Sequence, residues 1–244
     1  MRLFLSAAMT ALCLLAAPVQ AEMTQAERDT FRAEVKAYLL ENPEIIVEAM
    51  DVLQSRDQMM AAAKDLQMLK DQGPLIYNDA ASWAGGNLQG DITIVEFVDY
   101  RCGYCRRAHD EVAELVTSDG NIRFVIKEFP ILGEASMLSS RFAISVLQLH
   151  GADAYKSVHD VLIVLRGEPD EATLSRVATD LGLDAAPILA RMGTDEVTAV
   201  IKTNHTLADV MEITGTPTFV INNTMVRGYV PLDGMRQIVA EERS

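Results

Sequence analysis

The run Ile92-Thr93-Ile94-Val95-Glu96-Phe97-Val98 constrains this chain most, because a stretch apolar at nearly every position reads as a strand covered on both faces. Only Glu96 interrupts it in kind. Helical residues follow from about Cys102 to Val116, and Ile122-Arg123-Phe124-Val125-Ile126-Lys127 reads as a second covered strand. Strand, helix and strand in this order make a βαβ unit, which requires a parallel pair with helices packed on the sheet. Cys102-Gly103-Tyr104-Cys105 stands at its first turn. An α/β fold is expected, with two cysteines at a strand-to-helix junction.

The flanking segments suggest more helices. From Thr24 to about Lys70 there is no glycine and much Ala, Leu, Met, Glu and Gln, so two helices are expected, joined at Asn42-Pro43-Glu44. Ile46, Met50, Leu53 and Met60 recur along one side of the second helix, with Val52, Met59, Leu66 and Leu69 nearby. That side either packs on the chain's own domain or meets a second copy, which would make residues 24–70 a homo-oligomerisation stalk. Gly73-Pro74 should end the helix, Leu75 to Asn78 should form a short strand, and Gly85-Gly86-Asn87 should turn. A helical stretch from about Glu134 to Glu212 precedes strands at Thr218 to Asn222 and Val226 to Val230 and a helix from about Leu232 to Glu242. The expected division is a leader at 1–21, a helical extension at 22–73, a sheet-bearing domain at 74–130 and 213–244, and a helical insertion at 131–212.

The leader reading rests on Arg2, an apolar stretch around Leu12 to Ala17, and small residues in Val19-Gln20-Ala21 that suit cleavage. Pro18 and the short apolar run argue against a membrane anchor. Cleavage after Ala21 removes Cys13 and sends the remainder to an oxidising compartment, where two cysteines do not make a structural framework. The formal net charge of −14 repels phosphate backbones, so no nucleic-acid partner is expected.

Three chemistries compete for Cys102 and Cys105. A disulfide across so small a loop would restrain the unfolded chain by about 2 kcal/mol, against about 4.7 for a 100-residue loop, and is a poor staple. A closed zinc site needs four ligands, and His109, His150, His159 and His205 lack finger spacing, so no resident metal is expected. Redox exchange has a mechanism: a helix starting at Cys102 aims its unpaired N–H groups and positive end at that sulfur and stabilises the thiolate. Cys105, one turn on, is placed to resolve a mixed disulfide. Arg101, Arg106 and Arg107 are either tuning charges or solvated surface groups.

VEFVDYRCGYC together with the distant Thr214-Gly215-Thr216-Pro217-Thr218-Phe219 resembles the DsbA-like periplasmic thiol-disulfide oxidoreductases of the thioredoxin superfamily, over roughly Ile92 to Glu242. The resemblance implies a thioredoxin fold with an inserted helical domain, here with an N-terminal helical extension, and a periplasmic location. It implies that Pro217 is cis beside the cysteines, that Gly103, Tyr104, Thr216 and Pro217 contact substrate, and that Thr216 pairs its backbone with an extended peptide. Glu96 matches the family's buried acid, with a raised pKa suited to proton transfer; the alternative is a structural pair with Lys127. His109, about two turns beyond Cys102, reads as a surface or packing residue. Gly103-Tyr104 resembles the dipeptide of periplasmic disulfide isomerases.

Two function classes remain at this point. One is an enzyme exchanging disulfides in unfolded or misfolded exported proteins containing cysteine, with Cys102 as nucleophile, no cofactor, and a membrane redox partner that resets the pair. The other is a Cu(I)-binding protein using the same thiolates with help from Met50, Met59 and Met60, as in the copper-sensitivity, ScsC-like members of the family.

Overall fold

The structure, a computed structural model, describes residues 22–244, so the leader reading and Cys13 lie outside the described residues. The chain divides into two compact units, at Asp57 and Gln58.

In the first unit, helix α1 (Gln25–Glu41) opens with a capping box, in which Thr24 accepts from the Glu27 N–H and the Glu27 carboxylate accepts from the Thr24 N–H. It stops at Asn42, ahead of Pro43, and α2 (Glu44–Tyr77) begins. No residue of α1 is buried, and Phe31, Tyr38, Leu40, Ile46, Met50 and Leu53 are all exposed.

In the second unit α2 continues past Gly73-Pro74 to Tyr77, contrary to the sequence expectation, and there is no strand at Leu75 to Asn78. Proline forfeits one helical hydrogen bond. Here Leu69 and Ile76, at 2% and 0% exposure, are locked in the core on either side of Pro74, and the Asn78 N–H closes on the Pro74 carbonyl at 3.1 Å. The first strand is instead β1 (Trp83–Gly86), where a turn was expected. Its glycines serve packing: a Cβ on Gly85 would collide with the Trp83 indole, and one on Gly86 would lie 2.5 Å from the Ile122 carbonyl oxygen.

Strands β2 (Ile92–Val98) and β3 (Ile122–Glu128) run parallel, connected by α3 (Gly103–Asp119). After the helical segment come β4 (Thr218–Ile221) and β5 (Thr224–Arg227), the latter ending short of the expected Val230, and α9 (Leu232–Glu242). The sheet order is β1-β3-β2-β4-β5, with every pair antiparallel except β2–β3. The inserted segment holds α4 (Glu134–His150), α5 (Ala152–Val164), α6 (Glu171–Asp180), α7 (Ala185–Arg191) and α8 (Asp195–Val210).

Alternation along the strands sorts the core into two layers. Ile94, Val98, Phe124, Ile126, Phe219 and Ile221 face the cluster that contains Cys102, Cys105 and much of α3, α4 and α5. Val95, Phe97, Val125 and Val220 face the other layer, filled by Leu69 and Ile76 of α2 and by Leu207, Ala208 and Met211 at the end of α8.

Candidate active site

Asp99 builds the turn that delivers the cysteines. Wholly buried just beyond β2, its carboxylate accepts from the Arg101 N–H at 2.7 Å, the Ile131 and Leu132 N–H groups at 2.8 and 3.0 Å, and the Ser136 hydroxyl at 2.8 Å. Its carbonyl accepts from the Cys102 N–H at 3.0 Å. Cys102 thereby occupies the N-cap of α3 with extended backbone, and no side chain caps the first turn. The free N–H groups of that turn are left for the sulfur.

Both cysteines are free thiols, Cys102 at 7% exposure and Cys105 at 1%. The Cys102 pKa is lowered to about 5, first by the Cys105 thiol donating to it, then, against the cost of burial, by the Thr216 side chain and the Cys105 and Tyr104 N–H groups. In the thiol form Cys102 Sγ donates instead to the Thr216 carbonyl oxygen at 3.1 Å. Thr216 therefore serves both protonation states, through its carbonyl for the thiol and its hydroxyl for the thiolate. Cys105 is pushed far the other way by burial, by its donation to Cys102 and by the Glu96 charge. The pair is split into an acidic outer thiol and an inner one that holds its proton.

Glu96 lies at 3% exposure on the cysteine side of the sheet and makes no ion pair among the described residues. Burial, then the charges of Cys102 and Glu128, raise its pKa to about 8. The alternative pairing with Lys127 does not form. Glu96 is registered with Ile126, so Lys127 emerges on the opposite face, where its ammonium donates to Asp79 at 2.6 Å. Glu96 instead lines a cavity of about 290 Å³ with Trp83, His109, Phe124, Lys156 and His159.

The Thr216–Pro217 bond is cis, and β4 follows it directly. Tyr104 is 61% exposed and stacks on Tyr229 with ring centroids 6.3 Å apart, while the Arg107 guanidinium lies 4.6 Å over the other aromatic of that pair, the Tyr229 ring. Glu111 fixes Tyr229 by accepting from its hydroxyl at 2.7 Å and from the Leu232 N–H at 2.8 Å. Thr216, Pro217, Tyr104 and the cysteines come together; Gly103 is exposed between the two sulfurs in the chain, with open space where a side chain would be.

The arginines fit neither sequence expectation fully. Arg106 donates to the Ile163 and Leu165 carbonyls at 3.0 and 3.2 Å, and Arg101 donates to the Gly167 carbonyl at 2.8 Å. They fasten α3 to the inserted helices, and none of the leading causes of the Cys102 shift is an arginine. His109 is a half-buried residue set 3.2 Å from Asp160. Sequence reasoning missed Asp99, Tyr229 and Glu128. The last is buried at the end of β3, accepts from the Tyr100 and Tyr155 hydroxyls at 2.7 and 2.6 Å, and is raised by burial to about 7. An acid ending an apolar strand, as in Lys127-Glu128-Phe129, was the available signal.

Residues 93–240 match the DSBA-like thioredoxin domain, and residues 27–59 match the copper resistance protein ScsC N-terminal domain. A thioredoxin-like oxidoreductase from Silicibacter pomeroyi is 38% identical, with a TM-score of 0.65, covering 70% of this chain and 96% of that one. A linker-deletion mutant of ScsC from Proteus mirabilis is 27% identical, with a TM-score of 0.68, covering 92% and 98%. The Na(+)/H(+) antiporter NhaA 1 of Salinispora arenicola is 28% identical over 154 residues, 63% of this chain, and the chain spans only 24% of that relative's length. A matched domain over more than half of the sequence, carried on this sheet with a cysteine pair at the start of α3, makes the chain a member of the DsbA-like thioredoxin-domain family, the thiol-disulfide oxidoreductases.

Proposed function

We propose that the protein exchanges disulfides with cysteine-containing exported proteins, using Cys102 as nucleophile and Cys105 as resolving thiol. The observation that carries this reading is the opposed tuning of two sulfurs one turn apart, with Cys102 held at about 5 and Cys105 pushed up. The Cys102 thiolate attacks a client disulfide, forms a mixed disulfide and releases one client thiolate. Formation of the mixed disulfide removes the Cys102 charge that helps to raise Glu96, and Glu96, once ionised, takes the Cys105 proton as Cys105 attacks Cys102 Sγ. The second client thiolate leaves, the client is reduced by two electrons, and Cys102–Cys105 is oxidised. The reverse sequence oxidises a client dithiol, and in isomerisation a different client thiolate attacks the mixed disulfide, forms a new client disulfide and releases the Cys102 thiolate with no net electron transfer.

Gly103, Tyr104, Thr216 and Pro217 form the client-facing surface, with the Thr216 backbone pairing with an extended peptide. The periplasm is the proposed location, a reading that the signal-like sequence of residues 1–21 supports; among the described residues no helix is long and apolar enough to cross a membrane. A membrane redox partner resets the pair. Residues 24–70 contribute contacts to a second copy, as the exposed Phe31, Tyr38, Leu40 and Leu53 support. The deciding experiment measures the potential of the Cys102–Cys105 couple and the mass in solution on one sample, alongside refolding of a scrambled client. A strongly oxidising monomer is an oxidase, a less oxidising oligomer is an isomerase or reductase, and activity retained by Cys102→Ser would overturn the assignment.

A second reading, Cu(I) capture by the same thiolates, draws support from the match of residues 27–59 to a copper resistance protein's domain. Met50 and Met59 are exposed thioethers within that range, and the exposed Met60 directly follows it. Failure of the reduced protein to compete with a Cu(I) chelator removes it.

A further inference from the structure

His109 from α3 and His159 and Asp160 from α5 converge beside the cavity that Glu96 lines, and one ligand atom of each lies within 4.8 Å of the other two. A first-row cation holds nitrogen and oxygen donors at about 2.0 to 2.2 Å, so the three side chains need only close in by small rotations to surround one ion. The sequence hides this cluster, because the residues are far apart in the chain and lack finger spacing.

His159 is built as a ligand would be. It is 2% exposed, and its Nδ1 is engaged at 3.1 Å with the Tyr100 hydroxyl, which in turn donates to Glu128 at 2.7 Å. A histidine ligand is ordinarily oriented through its second nitrogen by such a carboxylate-anchored contact. The Tyr100 bond fixes the ring and leaves Nε2 as the nitrogen for a cation. His109 packs against that ring, with ring centroids 5.4 Å apart, and sets its own Nε2 3.2 Å from Asp160 Oδ1.

We propose that His109, His159 and Asp160 form a binding site for a divalent first-row metal of the Zn²⁺ class, separate from the cysteine pair. Two imidazoles and one carboxylate select such an ion over Mg²⁺ or Ca²⁺, and three protein ligands leave a fourth position open to the cavity. Lys156 is the competing cation: its ammonium lies 2.6 Å from each Asp160 oxygen. Its side chain is 36% exposed, free to swing into solvent when a metal takes the carboxylate. The bound ion would clamp α3, which carries both cysteines, to α5 of the insertion.

The test uses the mature full chain with Cys102→Ser and Cys105→Ser, prepared without a histidine tag, so that thiolates take no part. Titration with Zn²⁺ near pH 7 by calorimetry, and with Co²⁺ by visible absorption, should show one saturable ion per chain with nitrogen and oxygen ligation. His109→Gln and Asp160→Asn should each weaken binding by about 10- to 100-fold, while Lys156→Met, which removes the competitor, should tighten it several-fold. Circular dichroism melts of the metal-free variants check folding, and Lys156→Met, a partly exposed substitution, keeps the test decisive if His109→Gln does not fold. Absence of saturable uptake, uptake unchanged in a folded His109→Gln, or no tightening in Lys156→Met overturns the proposal.

Discussion

Thr216 stands 3.1 Å from Cys102 across the start of α3, carbonyl oxygen to sulfur, although the two are 114 residues apart in the chain. Its hydroxyl is also among the donors that favour the thiolate. Thr216→Val removes that donor and keeps the carbonyl. Loss of one hydrogen bond to a charged acceptor is worth about 1.5 to 3 kcal/mol, or about 1 to 2 pH units. The Cys102 titration, followed by thiolate absorbance, should have its midpoint near 5 in the parent and move upward in the variant. An unchanged midpoint would mean the N–H groups of α3 act without Thr216.

Glu96 makes stability depend on pH in an uncommon direction for an acid. Its folded pKa is raised from 4.5 to about 8, so across that window the folded state binds more protons than the unfolded one. Stability is full below 4.5 and is lost as pH rises through 8, by an amount on the order of a few kcal/mol. Glu96→Gln, neutral throughout, should flatten this slope in denaturant unfolding at pH 5 and pH 9 while slowing the resolving step by Cys105. Glu128, raised to about 7, supplies the slope that remains.

Arg106 is a fastener, with two part-buried carbonyls of the insertion as its partners. Arg106→Ala strands both, and should cost about 1 to 3 kcal/mol of stability. The Cys102 midpoint should stay within a few tenths of a pH unit of the parent value. A large upward movement of that midpoint would show that the guanidinium acts on the thiolate through space.

The exposed apolar residues of the first unit predict association. Phe31→Asp together with Leu53→Asp, at side chains 60% and 58% exposed, should leave the far-ultraviolet spectrum nearly unchanged and lower the mass seen by light scattering. If the full mature chain is already monomeric at micromolar concentration, these residues serve another purpose.

The βαβ unit was legible because Ile92 to Val98 is apolar at nearly every position and Ile122, Phe124, Val125 and Ile126 repeat that character after a helical segment, although Arg123 and Lys127 break one face of the second strand. Cys102 and Cys105 were legible from their place at its turn. The end of α2 was not, since the rule that proline stops a helix is local, whereas Ile76 is held by residues far along the chain. Strand β1 was hidden by Gly85 and Gly86, whose lack of side chains answers to Trp83 and Ile122. The roles of Arg101 and Arg106 escaped for a related reason: nothing near them in sequence shows that their partners are carbonyls of residues 163 to 167.

The parity of β3 also acts as insulation. Lys127 and Glu128 are adjacent, yet one meets Asp79 on one side of the sheet while the other meets Tyr100 and Tyr155 on the side that Glu96 shares. A single-residue insertion or deletion inside this strand would exchange them, bringing an ammonium to the layer of Glu96 and ionising the neutral acid into an ion pair. Length changes in the strand would thus reach redox chemistry as well as folding, whereas the loop after Phe129 has no such parity to lose.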